Sequence, residues 1–173
     1  FRSCAYKSEI GSYWWGEFQN AFLNAYGDNF VTQRELEYMS LAKTIQHFNS
    51  SADAKTLSGL MFNHWIKPPI FEESKQFFEL CPISIYVVSN IDRDDVLQAI
   101  KYHDLKPADV FTSEDAKAYK PRKELFEFAL NRVGLSPEEV LHIGDSLSSD
   151  IKGASSIGIN AIWVNRSNRE PPD

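Results

Sequence analysis

The sequence predicts an α/β protein whose parallel-stranded core follows an all-helical N-terminal region. Three observations lead there. From Pro82 onward, short β-branched runs alternate with segments of helical pattern. Ahead of Pro82, apolar residues recur only at helical spacing. Gly134 and Gly158 each stop a helical segment shortly before a new strand-like run.

The helical region is placed at 8–80. Phe18, Phe22, Leu23 and Tyr26 mark its first stripe. Leu36, Met39, Leu41, Ile45 and Phe48 mark a second, opened by Thr32 as N-cap. Leu57, Leu60, Met61 and Trp65 mark a third, closed by Pro68 and Pro69, and a fourth helix is read from Phe71 to Leu80. The α/β core is placed at 81–173. Its strands are read at Ile83–Val88, Val110–Thr112, Val140–Ile143 and Ala161–Val164. Helices are read at Val96–Tyr102, Lys123–Val133 and Asp150–Ile157. Alternation of this kind implies parallel strands joined by crossovers, with a site at the strands' carboxyl ends. The polar, Pro-bearing tail from Arg166 to Asp173 is expected to fray.

Composition narrows the function. Apolar residues make up 43% of the 173 residues, enough for a packed core. A net charge of −6 argues against a general nucleic-acid binder, since phosphate backbones attract basic surfaces. One local cationic pocket still suits a small anion. No apolar run approaches the roughly 20 residues that span a bilayer, so no membrane partner is expected. Cys4 and Cys81 are far apart and in no C-x-x-C pair, which suggests free thiols in a reducing, cytoplasmic setting. The chain begins with Phe1 rather than Met, and residues upstream of it are expected.

Three strand ends carry candidate chemistry. At Ser89-Asn90 a hydroxyl and fresh backbone N–H groups sit between a strand and a helix, which suits a phosphate oxygen; such residues also merely cap. At Lys120-Pro121 the proline sets a turn before a helix, so the lysine can reach inward as a fixed cation; most lysines are simply solvated. At Gly144-Asp145, with Asp150 five positions on, hard oxygen donors gather at a strand end, as Mg²⁺ requires; Asp150 can equally be an N-cap.

Taken together, Ser89-Asn90, Lys120-Pro121 and Gly144-Asp145…Asp150 resemble the second, third and fourth motifs of the haloacid-dehalogenase (HAD)-like hydrolase superfamily. The resemblance covers about residues 82–165. The stretches around Lys120-Pro121 and Gly144–Ala154 are similar to the phosphatase branch with a helical (C1-type) cap, and the region before Pro82 fits that cap in place and type. The resemblance implies a Rossmann-like parallel sheet and hydrolysis of a small phosphorylated metabolite through an aspartyl-phosphate. It implies that Ser89 and Asn90 bind the phosphoryl group and that Lys120 holds its charge and orients the nucleophile. Asp145 and Asp150 would bind the cofactor, Mg²⁺.

The family's nucleophile lies in an Asp-x-Asp motif at the end of a first strand, ahead of the cap. None occurs there. Asp92-Arg93-Asp94 reads instead as the acidic first turn of a helix. The first core strand is therefore expected to be missing, leaving two inner strand edges unpaired, and the chain as given is expected to be inactive. The alternative is a non-catalytic binding protein of the same fold. A dehalogenase of the superfamily needs no Mg²⁺ and is not expected to keep Gly144-Asp145…Asp150 in this form. A dinucleotide-binding domain lacks its G-x-G-x-x-G. Tyr13, Trp14, Trp15 and Trp65 could contact a sugar or base, and read more simply as packing between cap helices. His47, His64 and His103 receive no role, and His142 reads as structural. The sequence assigns neither substrate nor oligomeric state.

Overall fold

A computed structural model describes residues 4–170. Its helical part comprises α1 (Cys4–Asn24), α2 (Gln33–His47), α3 (Ala54–Trp65) and α4 (Glu72–Leu80). The α/β part runs β1 (Tyr86–Ser89), α5 (Arg93–Tyr102), β2 (Asp109–Thr112), α6 (Ser113–Ala116), α7 (Lys123–Val133), β3 (Leu141–Gly144), α8 (Gly153–Ser155) and β4 (Asn160–Trp163). Among the described residues, no helix is long and apolar enough to cross a membrane.

Thr32 caps α2 as its sequence suggested. Its hydroxyl accepts from the Glu35 N–H while the Glu35 carboxylate returns to the Thr32 N–H, a reciprocal box that satisfies two orphan donors. Asp53 caps α3 through the Thr56 N–H. Helix α1 lies along α2 with Phe18, Ala25 and Leu36 buried between them. Trp14 sends its indole N–H to the buried Glu37, and Tyr13 stacks on His47 at 3.9 Å. Trp15 remains about half exposed.

The strands form two parallel pairs, β1 with β2 and β3 with β4. No backbone ladder joins β1 to β3; between them lies a cavity of about 1160 Å³. Its walls include Ile85 and Val87 from one pair, Leu141 and Ile143 from the other, and Phe77 and Phe78 of α4. Leu141, Ile143 and Ile162 share one face of the second pair and are exposed by 52%, 44% and 49%. Helix α7 bridges the pairs from beneath. Leu125 and Ala129 pack with Phe111 of β2, while Phe126 packs with Ala154 and Ile159 beside β3 and β4. Each buried Leu, Ile or Phe among them contributes roughly 1.5–3 kcal/mol.

Tyr119 ties the helical part to the core. It is 2% exposed, packs with Phe18, Ala25 and Leu36, and donates its hydroxyl to the Val31 carbonyl at 2.7 Å. Its neighbours extend the seam: the Gly27 N–H donates to the Lys117 carbonyl, and the Arg122 guanidinium lies over the Tyr26 ring at 3.6 Å.

Two readings are corrected. The helix expected at Asp150–Ile157 starts earlier, as a π-helical turn at Leu147–Lys152 followed by α8. Ser146 caps it through the Ser149 N–H, so Asp150 lies inside the turn and is not its N-cap. The tail expected to fray is anchored through Arg169, since Arg166 pairs with Glu73 at 3.0 Å and lies over Phe71. The rest of that tail, 171–173, falls outside the described residues.

Candidate active site

The strand ends bring Lys120, Asp145 and Asp150 to the wall of the cavity. Lys120 is the hub. The peptide between Lys120 and Pro121 is cis, and the lysine side chain runs inward with 12% exposure. Its ammonium donates to the Val88 carbonyl at 2.8 Å and to Asp150 Oδ1 at 2.6 Å. One cation thereby links the end of β1 with the turn after β3.

Asn90 holds that lysine in place. Its side-chain oxygen accepts from the Lys120 N–H at 2.7 Å and its NH₂ donates to the Lys120 carbonyl at 3.1 Å. The Asn90 side chain thereby grips the Lys120 backbone. Ser89 ends β1 opposite Thr112 of β2, and its oxygen accepts from the Ile91 N–H at 3.1 Å. Among the described residues the Ser89 hydroxyl has no acceptor of its own.

Asp150 accepts three hydrogen bonds. Its Oδ1 takes Lys120 and the His142 Nε2 at 3.2 Å, and its Oδ2 takes the Ser146 N–H at 3.0 Å. Burial opposes its ionisation, yet the His142 hydrogen bond and the Lys120 ammonium together hold the carboxyl well below the usual carboxylate range. Asp150 is thus the counter-ion of Lys120. His142, read as merely structural, is one of its partners. Strand alternation was the available signal, because His142 and Gly144 point to the same side of β3.

Asp145 differs. It is exposed, and among the described residues its carboxylate has neither hydrogen bond nor ion pair. Among those residues no three His, Cys, Asp or Glu side chains converge on a metal position. Mg²⁺, however, commonly takes one or two carboxylates, keeps several waters and fills the remainder with phosphate oxygens. One uncommitted carboxylate lining the same cavity as Lys120 fits that mode. Asp145 could hold a cation in that mode, with Asp150 as a further ligand or as support.

The fold is the one that HAD-like hydrolases share. Residues 118–173 match the HAD-hydrolase-like family model. Over those residues the chain is similar to HAD-like hydrolases, and its fold matches theirs. It is 37% identical to the HAD-hydrolase YfnB of Bacillus subtilis over 84 residues, 47% of this chain and 36% of that protein. It is 43% identical to a glyceraldehyde 3-phosphate phosphatase of Methanocaldococcus jannaschii over 56 residues, 32% of this chain and 25% of that one. It is 25% identical to the (S)-2-haloacid dehalogenase 4A of Burkholderia cepacia over 162 residues, 80% of this chain and 69% of that one. A magnesium-bound crystal structure of YfnB superposes with a TM-score of 0.77 at 22% identity, covering 95% of this chain and 76% of YfnB. The matched stretch thus spans about a third or less of the first two curated relatives.

Proposed function

We propose that this chain forms the greater part of an Mg²⁺-dependent phosphatase acting on a small phosphomonoester. The observation that carries the reading is the cavity between β1 and β3, ending at Lys120, Asp145 and Asp150. Its walls are two parallel strands with unpaired facing edges, so it accepts one more extended segment. A carboxylate at that segment's C-terminal end arrives beside the Lys120 ammonium. We place this nucleophile upstream of Phe1, and the helices before Pro82 act as the cap. Without the segment, the polypeptide of 173 residues does not turn over substrate.

The roles of this chain's residues follow from their bonds. Lys120, fixed by Asn90 and Asp150, presents a preorganised positive charge to the phosphoryl oxygens and the incoming carboxylate. Ser89 donates its free hydroxyl proton to a phosphoryl oxygen. Asp145 holds Mg²⁺, which supplies charge neutralisation on the phosphoryl group. The carboxylate forms a bond to phosphorus as the ester oxygen leaves; water then cleaves the aspartyl-phosphate to inorganic phosphate.

The test is phosphate release from p-nitrophenyl phosphate with Mg²⁺. The 173-residue chain is expected to be inactive, and activity is expected once the upstream segment is restored. Robust activity from residues 1–173 alone overturns the reading. Chloride release from 2-chloropropionate without Mg²⁺ would assign the chain to the dehalogenases. Inactivity of the restored chain in both assays would favour a binding protein.

A further inference from the structure

We propose that Trp163 and Arg169 are positioning residues that fix Asp145 as a metal ligand. The inference rests on the phosphatase reading above and adds to it two residues outside the three motifs. The Asp145 main-chain carbonyl accepts two side-chain hydrogen bonds, from the Trp163 indole N–H at 3.0 Å and from Arg169 Nη2 at 2.9 Å. The preceding carbonyl, Gly144, accepts from the Val164 N–H at 2.8 Å. Two consecutive carbonyls are therefore pinned by the end of β4 and the segment after it.

Arg169 is itself held. The Asn165 side chain donates to the Arg169 carbonyl at 2.7 Å and accepts from the Arg169 N–H at 3.0 Å. The Arg169 guanidinium also lies 5.2 Å from the Trp163 ring centroid. The tail thus closes as a clasp over the strand end. All this restraint falls on the Asp145 backbone, while its carboxylate remains uncommitted. A short side chain of two torsions is aimed chiefly by its own Cα–Cβ bond, so pinning the peptide places the ligand oxygen before any cation arrives.

The test measures Mn²⁺ affinity of the full-length protein from the electron paramagnetic resonance signal of the free ion. Asp145→Asn is expected to abolish binding. Trp163→Phe keeps the ring, adds no charge and removes one donor. It is expected to weaken binding about 10-fold, the lower end of losses from removing a ligand's outer partner. Arg169→Lys keeps the charge, lies on the surface and spares folding; it is expected to weaken binding several-fold. The Trp163 indole N–H resonance is expected to shift when Mg²⁺ is added to the wild type. If Asp145→Asn loses binding while Trp163→Phe and Arg169→Lys bind as the wild type does, the clasp is overturned and the metal reading stands. If Asp145→Asn binds normally, both fall.

Discussion

The backbone of Gly144 lies against the Asp150 side chain so closely that a Cβ on Gly144 would overlap Asp150 Cβ and Cγ. The glycine before Asp145 thus has a steric cause. It leaves room for the carboxyl that pairs with Lys120. Gly144→Ala is expected to displace Asp150 and cost about 1–3 kcal/mol, the usual range for overpacking a filled site. Urea denaturation checks the stability. With the proposed upstream segment restored, the same variant should lower kcat more than it raises KM, because Lys120 loses its anchor.

Asp150 also sets a pH dependence. Its folded-state pKa is depressed, first against the cost of burial and then by His142 and Lys120. The stability it contributes is fully present above the unfolded value of about 3.9 and is lost as pH falls below it. Asp150→Asn should be less stable than the wild type at pH 7. The gap should narrow below about pH 4. Denaturant midpoints taken from pH 3 to 7 check this, and a gap that stays constant with pH would count against it.

Glu37 behaves in the opposite sense. It is 1% exposed, and burial raises its pKa against the opposing Trp14 hydrogen bond. A raised folded pKa means stability that is present below about 4.3, the unfolded value, and is lost as pH rises through the folded one. Glu37→Gln keeps an acceptor for Trp14 and should be more stable than the wild type at pH 7. The two proteins should converge near pH 4, a shift readable in thermal melts.

Arg34 and Asp95 predict an asymmetry. Arg34 makes two hydrogen bonds to Asp95, whose side chain is 1% exposed while that of Arg34 is 43% exposed. Arg34→Leu leaves a buried carboxylate unpaired and should cost about 3–5 kcal/mol. Asp95→Asn leaves only a partly hydrated guanidinium and should cost less. Equal losses in chemical denaturation would argue against a burial origin.

Much of this was legible in the chain. Strand alternation and helix stops gave the α/β order, and Thr32 announced its own cap. Ser89, Lys120 and Asp145 stood out because a hydroxyl, an ammonium and a carboxylate at three strand ends are rarely there for packing. What escaped was long-range pairing. Asp92 follows Ser89-Asn90 as an acid at the start of α5, yet its carboxylate accepts from the Gln33 and Arg34 N–H groups at 2.7 and 2.9 Å. It caps α2, a helix nearly 60 positions earlier. The Asn90 grip on Lys120 and the Arg169 clasp are of the same kind. Each joins segments that no local periodicity relates, and polarity alone made the tail read as loose.

The separation of β1 from β3 has a dynamic consequence. Two hydrogen-bonded ribbons share a helix beneath them but no rungs between them. Each ribbon is free to breathe on its own, so amide protons of β1 and β3 should exchange at unrelated rates. A strand laid between them would fuse both into one ladder, and their exchange would slow in step.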